Sequence, residues 1–286
     1  MKYKMIPEKL EGKDFFRIVA LKDFGYVRAG NTGGLIEKES NLSQDGDCWV
    51  FEDAMVFDDA RVEDDALVGD SAIVSSKARI SGRAGVFGDS LVTGEAVVAD
   101  QAAIKDYSKI YEKAVVSGRA VVTGLSCIYG NAVVDGDTYI HDSISIYGNA
   151  KITGESNLEG AGYIGGDAVI DGAELRVTGL IEGDSYIKSF KDILVFDGPA
   201  RTRSKQSIAF IRSSSGGCHI CSSIADGSIS DFRKAVLDSF TPGSPVWDRN
   251  EYVRDYYGTP DFLLEIIKFA ERHFGIEPRR VKVIKK

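Results

Sequence analysis

No apolar run in the 286 residues approaches the roughly 18 that a membrane-spanning helix needs. The first residues, MKYKMIPEKLEGKDFF, are charged and have no apolar stretch, so no secretory signal is expected. Four cysteines (Cys48, Cys127, Cys218, Cys221) are too sparse for a disulfide framework. Together these absences predict a cytoplasmic protein without membrane contact. Histidine is scarce as well: His141, His219 and His273 are all there is for imidazole chemistry. Positive charge is missing where a nucleic-acid binder needs it. Residues 46–196 carry 25 acidic and 12 basic side chains, a net −13, whereas residues 197–286 carry 11 and 15, a net +4. An acidic middle of that length argues against coating phosphates along the chain; it fits the solubility needs of a surface-rich fold.

What is present is a count of six. From Val50 every sixth residue through Ile170 is Val, Ile or Leu, at 21 consecutive positions. Two residues before each stands a small residue (Cys48, Ala54, Ala60, Ala66 and onward to Ala168), with Ile144 the one bulky exception. Two residues after come mostly Gly, Asp or Glu. One residue is lost after Ile170, and the register resumes at Leu175, Ile181, Ile187 and Ile193. Neither an α-helix nor an ordinary strand has this period; a short strand followed by a sharp corner does. The β-branched residue and its small partner point inward, and Gly or Asp takes the unusual φ of the corner. Three edges, each one hexad, make a triangular coil. Residues 48–196 supply about eight coils, a prism about 38 Å long at a strand spacing of about 4.8 Å. One coil cannot bury enough apolar surface alone, so stacked neighbours must complete its core.

Repeats such as IYGNAVVDGD and VSGRAVVTGL resemble the hexapeptide repeats of left-handed parallel β-helix proteins. The left hand of the coil is what that resemblance implies. The segment DFGYVRAGNTGGLIEKESNLSQDGDCWV resembles the opening of a bacterial and phage group of such proteins without an assigned activity. The expected architecture is mainly β: a single-stranded left-handed parallel β-helix (48–196), an N-terminal cap (1–47), and a small C-terminal α+β domain (197–286).

A solenoid needs its ends covered, or its open edges will pair with other chains. RIVAL reads as a strand of the cap and AGNTGG as a loop. Beyond the repeats, DILVF, QSIAFIRS and GCHICSS read as short strands. A helix follows with Ser228 as N-cap and Asp231 completing a capping box, its apolar face Phe232, Val236 and Phe240. A last helix has Thr259 as N-cap, Pro260 in its first turn and Gly275 as its stop, with Phe262, Ile266, Phe269 and Ala270 expected as its buried stripe. The helix entry SISDFRKAV is similar to a tail module of phage hexapeptide-repeat proteins.

Among hexapeptide proteins the acyltransferases use a histidine base beside an acyl-CoA channel. By that resemblance His141, directly after Ile140 and so outward on a face, is the candidate base and acyl-CoA the cofactor. The family's site also needs a loop projecting from the coil, and the 21 hexads run without one, so a non-catalytic role with no cofactor is expected. His273 reads as a favourable charge at a helix C-terminus. Cys218-His-Ile-Cys221 lacks the second pair a zinc site needs, so no metal is expected. Arg201, Arg203, Lys205 and Arg212, beside serines and glycines, suit a phosphate or carboxylate, a nucleotide among them; the same side chains would equally tie domains together. The acidic corners from Glu52 to Asp70 lack the Gly-rich nonapeptides of calcium-binding β-helices.

Positions one coil apart stack. Tyr111, Tyr129 and Tyr147 form one outward column, with Met55, Ile73 and Leu91 on the same face; Val97, Val115 and Val133 form an outward column on another. Contiguous apolar strips mark interfaces. The expectation is therefore a scaffold or binding protein, a dimer or trimer joined through a prism face. Its C-terminal domain would be offered to a protein or a small anionic ligand, in a phage–host setting by resemblance. The alternatives are an acyl-CoA-dependent transferase and a sponge for a nucleotide-like anion.

Overall fold

The computed structural model describes residues 1–10, 12–197, 207–222, 224, 226–244 and 259–276. The chain divides into two compact units, Met1–Thr178 and Gly179–Lys286.

The first unit is a parallel β-solenoid, and the second adds a small α+β region; the solenoid makes about eight turns. Each hexad contributes a short strand, mostly a dipeptide, and strands one coil apart pair in parallel. Three faces result. The first runs from Met55–Val56 to Tyr163–Ile164, the second from Arg61–Val62 to Val169–Asp171, and the third from Trp49–Val50 to Glu174–Val177. The hexad aliphatics Val50 through Ile170 are fully buried, and their small partners with them. Ile144 fits at its small-residue position because the column makes room: Ser126 lies one coil before it and Gly162 one coil after. The residue lost after Ile170 is absorbed at a corner, so that Leu175 still pairs with Leu158, its counterpart one coil back.

Corners carry positive φ throughout. Where they are not glycine they are mainly aspartate: Asp58, Asp64, Asp70, Asp100, Asp106 and Asp142 all lie between φ 54 and 66. An aspartate tolerates this region better than most residues, and here it has a second use. Each of the six carboxylates accepts the backbone N–H of the matching corner in the next coil: Ser76, Gly82, Gly88, Gly118, Gly124 and Gly160. The corners are thus tied coil to coil. At Gly82, another of these corners, a Cβ would sit 2.8 Å from the carbonyl of Asp100.

Coil-to-coil backbone bonds run from an N–H to a carbonyl of the next coil, as from Trp49 to Ala66 and from Leu67 to Ala84. The carbonyls of the first coil have no preceding coil to bond them, and buried carbonyls must be paired. The cap supplies donors for each face by a different route. A hairpin, β1 (Tyr3–Leu10) and β2 (Lys13–Ala20), leads to β3 (Thr32–Ile36), which pairs in parallel with the first face at Leu35↔Met55. On the second face the buried amide of Asn41 donates to the carbonyls of Asp58 (3.0 Å) and Ala60 (2.8 Å). On the third face Lys2, 2% exposed, donates to the carbonyls of Asp45 (3.3 Å), Gly46 (3.3 Å) and Cys48 (3.0 Å). Its ammonium also lies 3.2 Å from Cys48 Sγ and under the Phe24 ring.

In the second unit, four short strands form an antiparallel sheet: Ile193–Asp197, Ser207–Arg212, Cys218–Cys221 and Gly227–Ser228. One face of the sheet, with Phe210, Cys218 and Ile220, packs on helices α1 (Ile229–Ser239) and α2 (Pro260–Phe274). The capping box at Ser228 and Asp231 forms, with Phe232 and Val236 buried and Phe240 partly so. On α2 the expected stripe is corrected. Leu263, Ile266, Ile267, Ala270 and Phe274 are buried, whereas Phe262 and Phe269 are 56% and 47% exposed. Two apolar stripes compete on this helix. The one winning the interior recurs at the helical spacing along the helix and ends on Phe274, whereas Phe262 and Phe269 repeat only once.

Candidate functional site

His141 follows Ile140 on the third face and is half-buried. Its ring lies 5.2 Å from that of Tyr139, and Nδ1 is 3.4 Å from an Asp142 carboxylate oxygen. Asp142 is itself a corner residue whose other oxygen takes the Gly160 N–H. A histidine beside a carboxylate can take a proton, yet the wall around it is built of tight hexads, and among the described residues no loop projects beside it to hold an acceptor.

The tyrosine column forms as the spacing requires. Tyr111 and Tyr129 stack at 4.8 Å with planes 3° apart, and Tyr129 and Tyr147 at 5.5 Å and 15°. Burial raises the phenol pKa of Tyr111 and of Tyr129. Beyond Tyr147 the column continues with Gly165, where a Cβ would fall 2.3 Å from the tyrosine ring. The stacked ring faces cover one another, so the column offers edges and hydroxyls outward. Val97, Val115 and Val133 form a half-buried column on the second face. Polar ladders flank it: Ser117 to Asp135, and Asn131 to Asn149 to Asp167.

Of the four basic residues read as anion ligands, Arg201, Arg203 and Lys205 lie outside the described residues. Arg212 donates to Asp192 (2.6 Å) and stacks over Phe274 at 5.4 Å, which ties the sheet to α2 within the second unit. The serine-rich turn beside it already holds a carboxylate: Ser213 and Ser215 both donate to Asp184 Oδ2, at 2.5 and 2.7 Å. The Ser213 and Ser215 hydroxyls hold the Asp184 carboxyl below its usual range. Burial works against ionisation of Asp192, but the Arg212 guanidinium and the Lys188 and Ser189 N–H groups outweigh it and lower its pKa. Depressed carboxyl pKa values stabilise the fold above the unfolded value, near pH 4, and that contribution is lost as pH falls through the folded values. The second unit should therefore hold constant stability from pH 7 to about pH 5 and weaken below about pH 4. Asp192→Asn should flatten that dependence in urea melts followed from pH 3 to 7.

Cys218 and Cys221 lie on opposite sides of their strand, Cys218 facing the helices with Ile220. Burial pushes both thiols up to about 12, so neither is a ready thiolate. Among the described residues no group of three or more His, Cys, Asp or Glu side chains could hold a metal ion. His273 stands in the last turn of α2, and its Nε2 lies 2.8 Å from the Lys191 carbonyl.

No protein-family model matches the chain. One short stretch of 36 residues is 44% identical to the uncharacterized acetyltransferase YdcK of Escherichia coli (strain K12). The match covers 13% of this chain and 11% of that relative, so the likeness is confined to a short stretch. No helix among the described residues is long and apolar enough to cross a membrane.

Lys2, Asn41 and Asp184 escaped the sequence reading. Their roles are set by where irregular segments pass in space, and the period of six says nothing about those paths.

Proposed function

We propose that the chain is a non-catalytic β-helix scaffold that self-associates through a face of its prism and offers its C-terminal domain to a partner. The observation that carries this reading is the unbroken wall. From Val50 to Ile170 the coils bury their aliphatics and project no loop, and their outer faces bear ordered apolar and aromatic columns. Within the described residues the groups that would bind an anion are engaged internally, Arg212 by Asp192 and the serine turn by Asp184. That favours a protein partner over a nucleotide-like ligand. A cytoplasmic location and a phage–host setting belong to the same proposal, the second resting on sequence resemblance alone. Mass spectrometry of proteins captured on full-length chain, compared with a chain ending at Thr178, tests the role of the second unit. Equal capture by both would remove it.

The second reading is an acyl-CoA-dependent transferase, favoured by the short stretch shared with the uncharacterized acetyltransferase YdcK and by His141 beside Asp142. Release of free CoA from acetyl-CoA, measured over a panel of amine and hydroxyl acceptors, decides between the two. The scaffold reading expects no turnover above buffer. Turnover that His141→Ala lowers by about 100-fold or more would replace it with the enzyme, general-base catalysis being worth about 10²–10⁴-fold.

A further inference from the structure

Four large apolar side chains on the coils are strongly exposed: Tyr107 (57%), Leu125 (62%), Tyr139 (45%) and Tyr163 (55%). Three of them belong to the first face. Tyr107 and Leu125, at matching positions of successive coils, line its leading edge, and the tyrosine column lines its trailing edge. Between them run Leu91, Lys109, Cys127, Ser145 and Tyr163 in register. Lys109 is the one charge in that central row. The second face has no comparable feature: its central row includes Arg61, Arg79 and Lys151, and polar ladders flank its valines.

We infer that this first face binds the same face of a second copy of the chain, with the two solenoids antiparallel about a two-fold axis through Cys127. The inference rests on the scaffold reading and names its partner. An interface core is rich in tyrosine and poor in charge, which this face matches on a molecule whose middle is otherwise acidic. The exposed rings and Leu125, with the half-buried remainder, offer about 500 Å² on each protomer and about 1,000 Å² in total. That is the lower limit for a specific interface, so the dimer should be weak.

Charge selects the antiparallel arrangement. In it Lys109 faces the partner's Ser145, Leu91 faces the partner's Tyr163, and Cys127 faces the partner's Cys127. The acidic corners from Glu52 to Asp70 then lie at opposite ends of the pair. A parallel arrangement would set Lys109 against the partner's Lys109 and the two acidic ends side by side, and like charges in juxtaposition are costly.

Light scattering on the full chain over about 1–300 μM should show a monomer–dimer equilibrium with a Kd on the order of 10 μM. Leu125→Glu, at a site too exposed to disturb folding, should weaken it at least tenfold, and Val115→Glu on the second face should leave it unchanged. Cys48, Cys218 and Cys221 are buried and Cys127 is half-buried. A short bismaleimide should therefore give one covalent dimer that Cys127→Ser abolishes. A monomer at every concentration would overturn self-association itself, and with it that part of the scaffold reading. A dimer lost in Val115→Glu but kept in Leu125→Glu would overturn only the choice of face. A dimer lost in Leu125→Glu that gives no Cys127 crosslink would overturn the axis.

Discussion

Lys2→Met should destabilise the first unit by about 3–5 kcal/mol, a larger loss than most single substitutions cause. Methionine replaces the lysine stem almost atom for atom, so the change removes the ammonium, with its three N–H donors and its contact with the Phe24 ring, and little else. The Cys48 carbonyl would then be buried without the donor Lys2 provides, at about 1–3 kcal/mol for a buried group left unsatisfied, and the part-buried bonds to the Asp45 and Gly46 carbonyls would be lost as well. Loss of the ammonium also removes its own desolvation cost, which keeps the total below the sum of the three. Urea unfolding followed by Trp49 fluorescence in a Trp247→Phe background measures it, because Trp49 packs edge-on against both Tyr3 and Phe24 beside this site. Cys48→Ala is the companion. It deletes only the thiol contact, whose pKa burial raises and the lysine opposes, and should cost about 1–2 kcal/mol as a small buried truncation. A Lys2→Met loss no larger than that of Cys48→Ala would mean the carbonyls find water, and that the cap seals the coil by packing alone.

The cap also marks the limit of what was legible in the residues. Inside the solenoid one rule acts on every coil. An inward β-branched residue, a small partner two before it and an αL corner two after it give each position a neighbour in the next coil. Local preference and tertiary contact therefore agree, and the tyrosine column could be read before any ring was placed. Even the exceptional Ile144 is explained by the same arithmetic, with Ser126 and Gly162 in its column. At the ends the rule has no neighbour to act on. The first coil needs donors, which is a physical demand that the sequence implies. Which side chain meets it depends on a hairpin and a loop whose paths follow no period, and a lysine next to the initial methionine carries no pattern. The same holds in the second unit. A serine- and arginine-rich stretch suited to an anion reads identically whether the anion is a ligand or a carboxylate of its own chain, here Asp184 and Asp192. The ends of helix α2 are legible through Pro260 and Gly275, and so are Ile266 and Ala270 on its buried side, but the exposure of Phe262 and Phe269 is not. Two apolar stripes on one helix differ only in what they pack against.

Asn41→Asp makes the sharpest test of the donor argument, because it changes almost nothing but the direction of two hydrogen bonds. The Asn41 Oδ1 atom accepts the Lys38 N–H at 2.8 Å, a role a carboxylate keeps. The Nδ2 group donates to the Asp58 and Ala60 carbonyls, and there a carboxylate would set oxygen against oxygen in a fully buried site. Two lost bonds and a buried, repelled charge should cost about 3–5 kcal/mol at pH 7. The pH dependence gives the mechanism away. Burial and the facing carbonyls both disfavour the charged form, so the new carboxyl should have a folded pKa raised above its unfolded value near 4. The penalty is therefore smallest below pH 4, where the acid is neutral in both states and its O–H can donate to one carbonyl. It grows as pH rises above the unfolded pKa, because the neutral buried acid then ionises on unfolding, and it levels off once the folded pKa is passed. Measured against the parent chain in urea at pH 4 and pH 7, the stability gap should widen by at least about 1 kcal/mol with rising pH, about one pKa unit or more of shift. Asn41→Leu, which cannot titrate, should show a gap of about 2–4 kcal/mol that is the same at both pH values. If Asn41→Asp behaves like Asn41→Leu, the second face has an open, hydrated end, and the role given to Asn41 as the donor closing it is wrong.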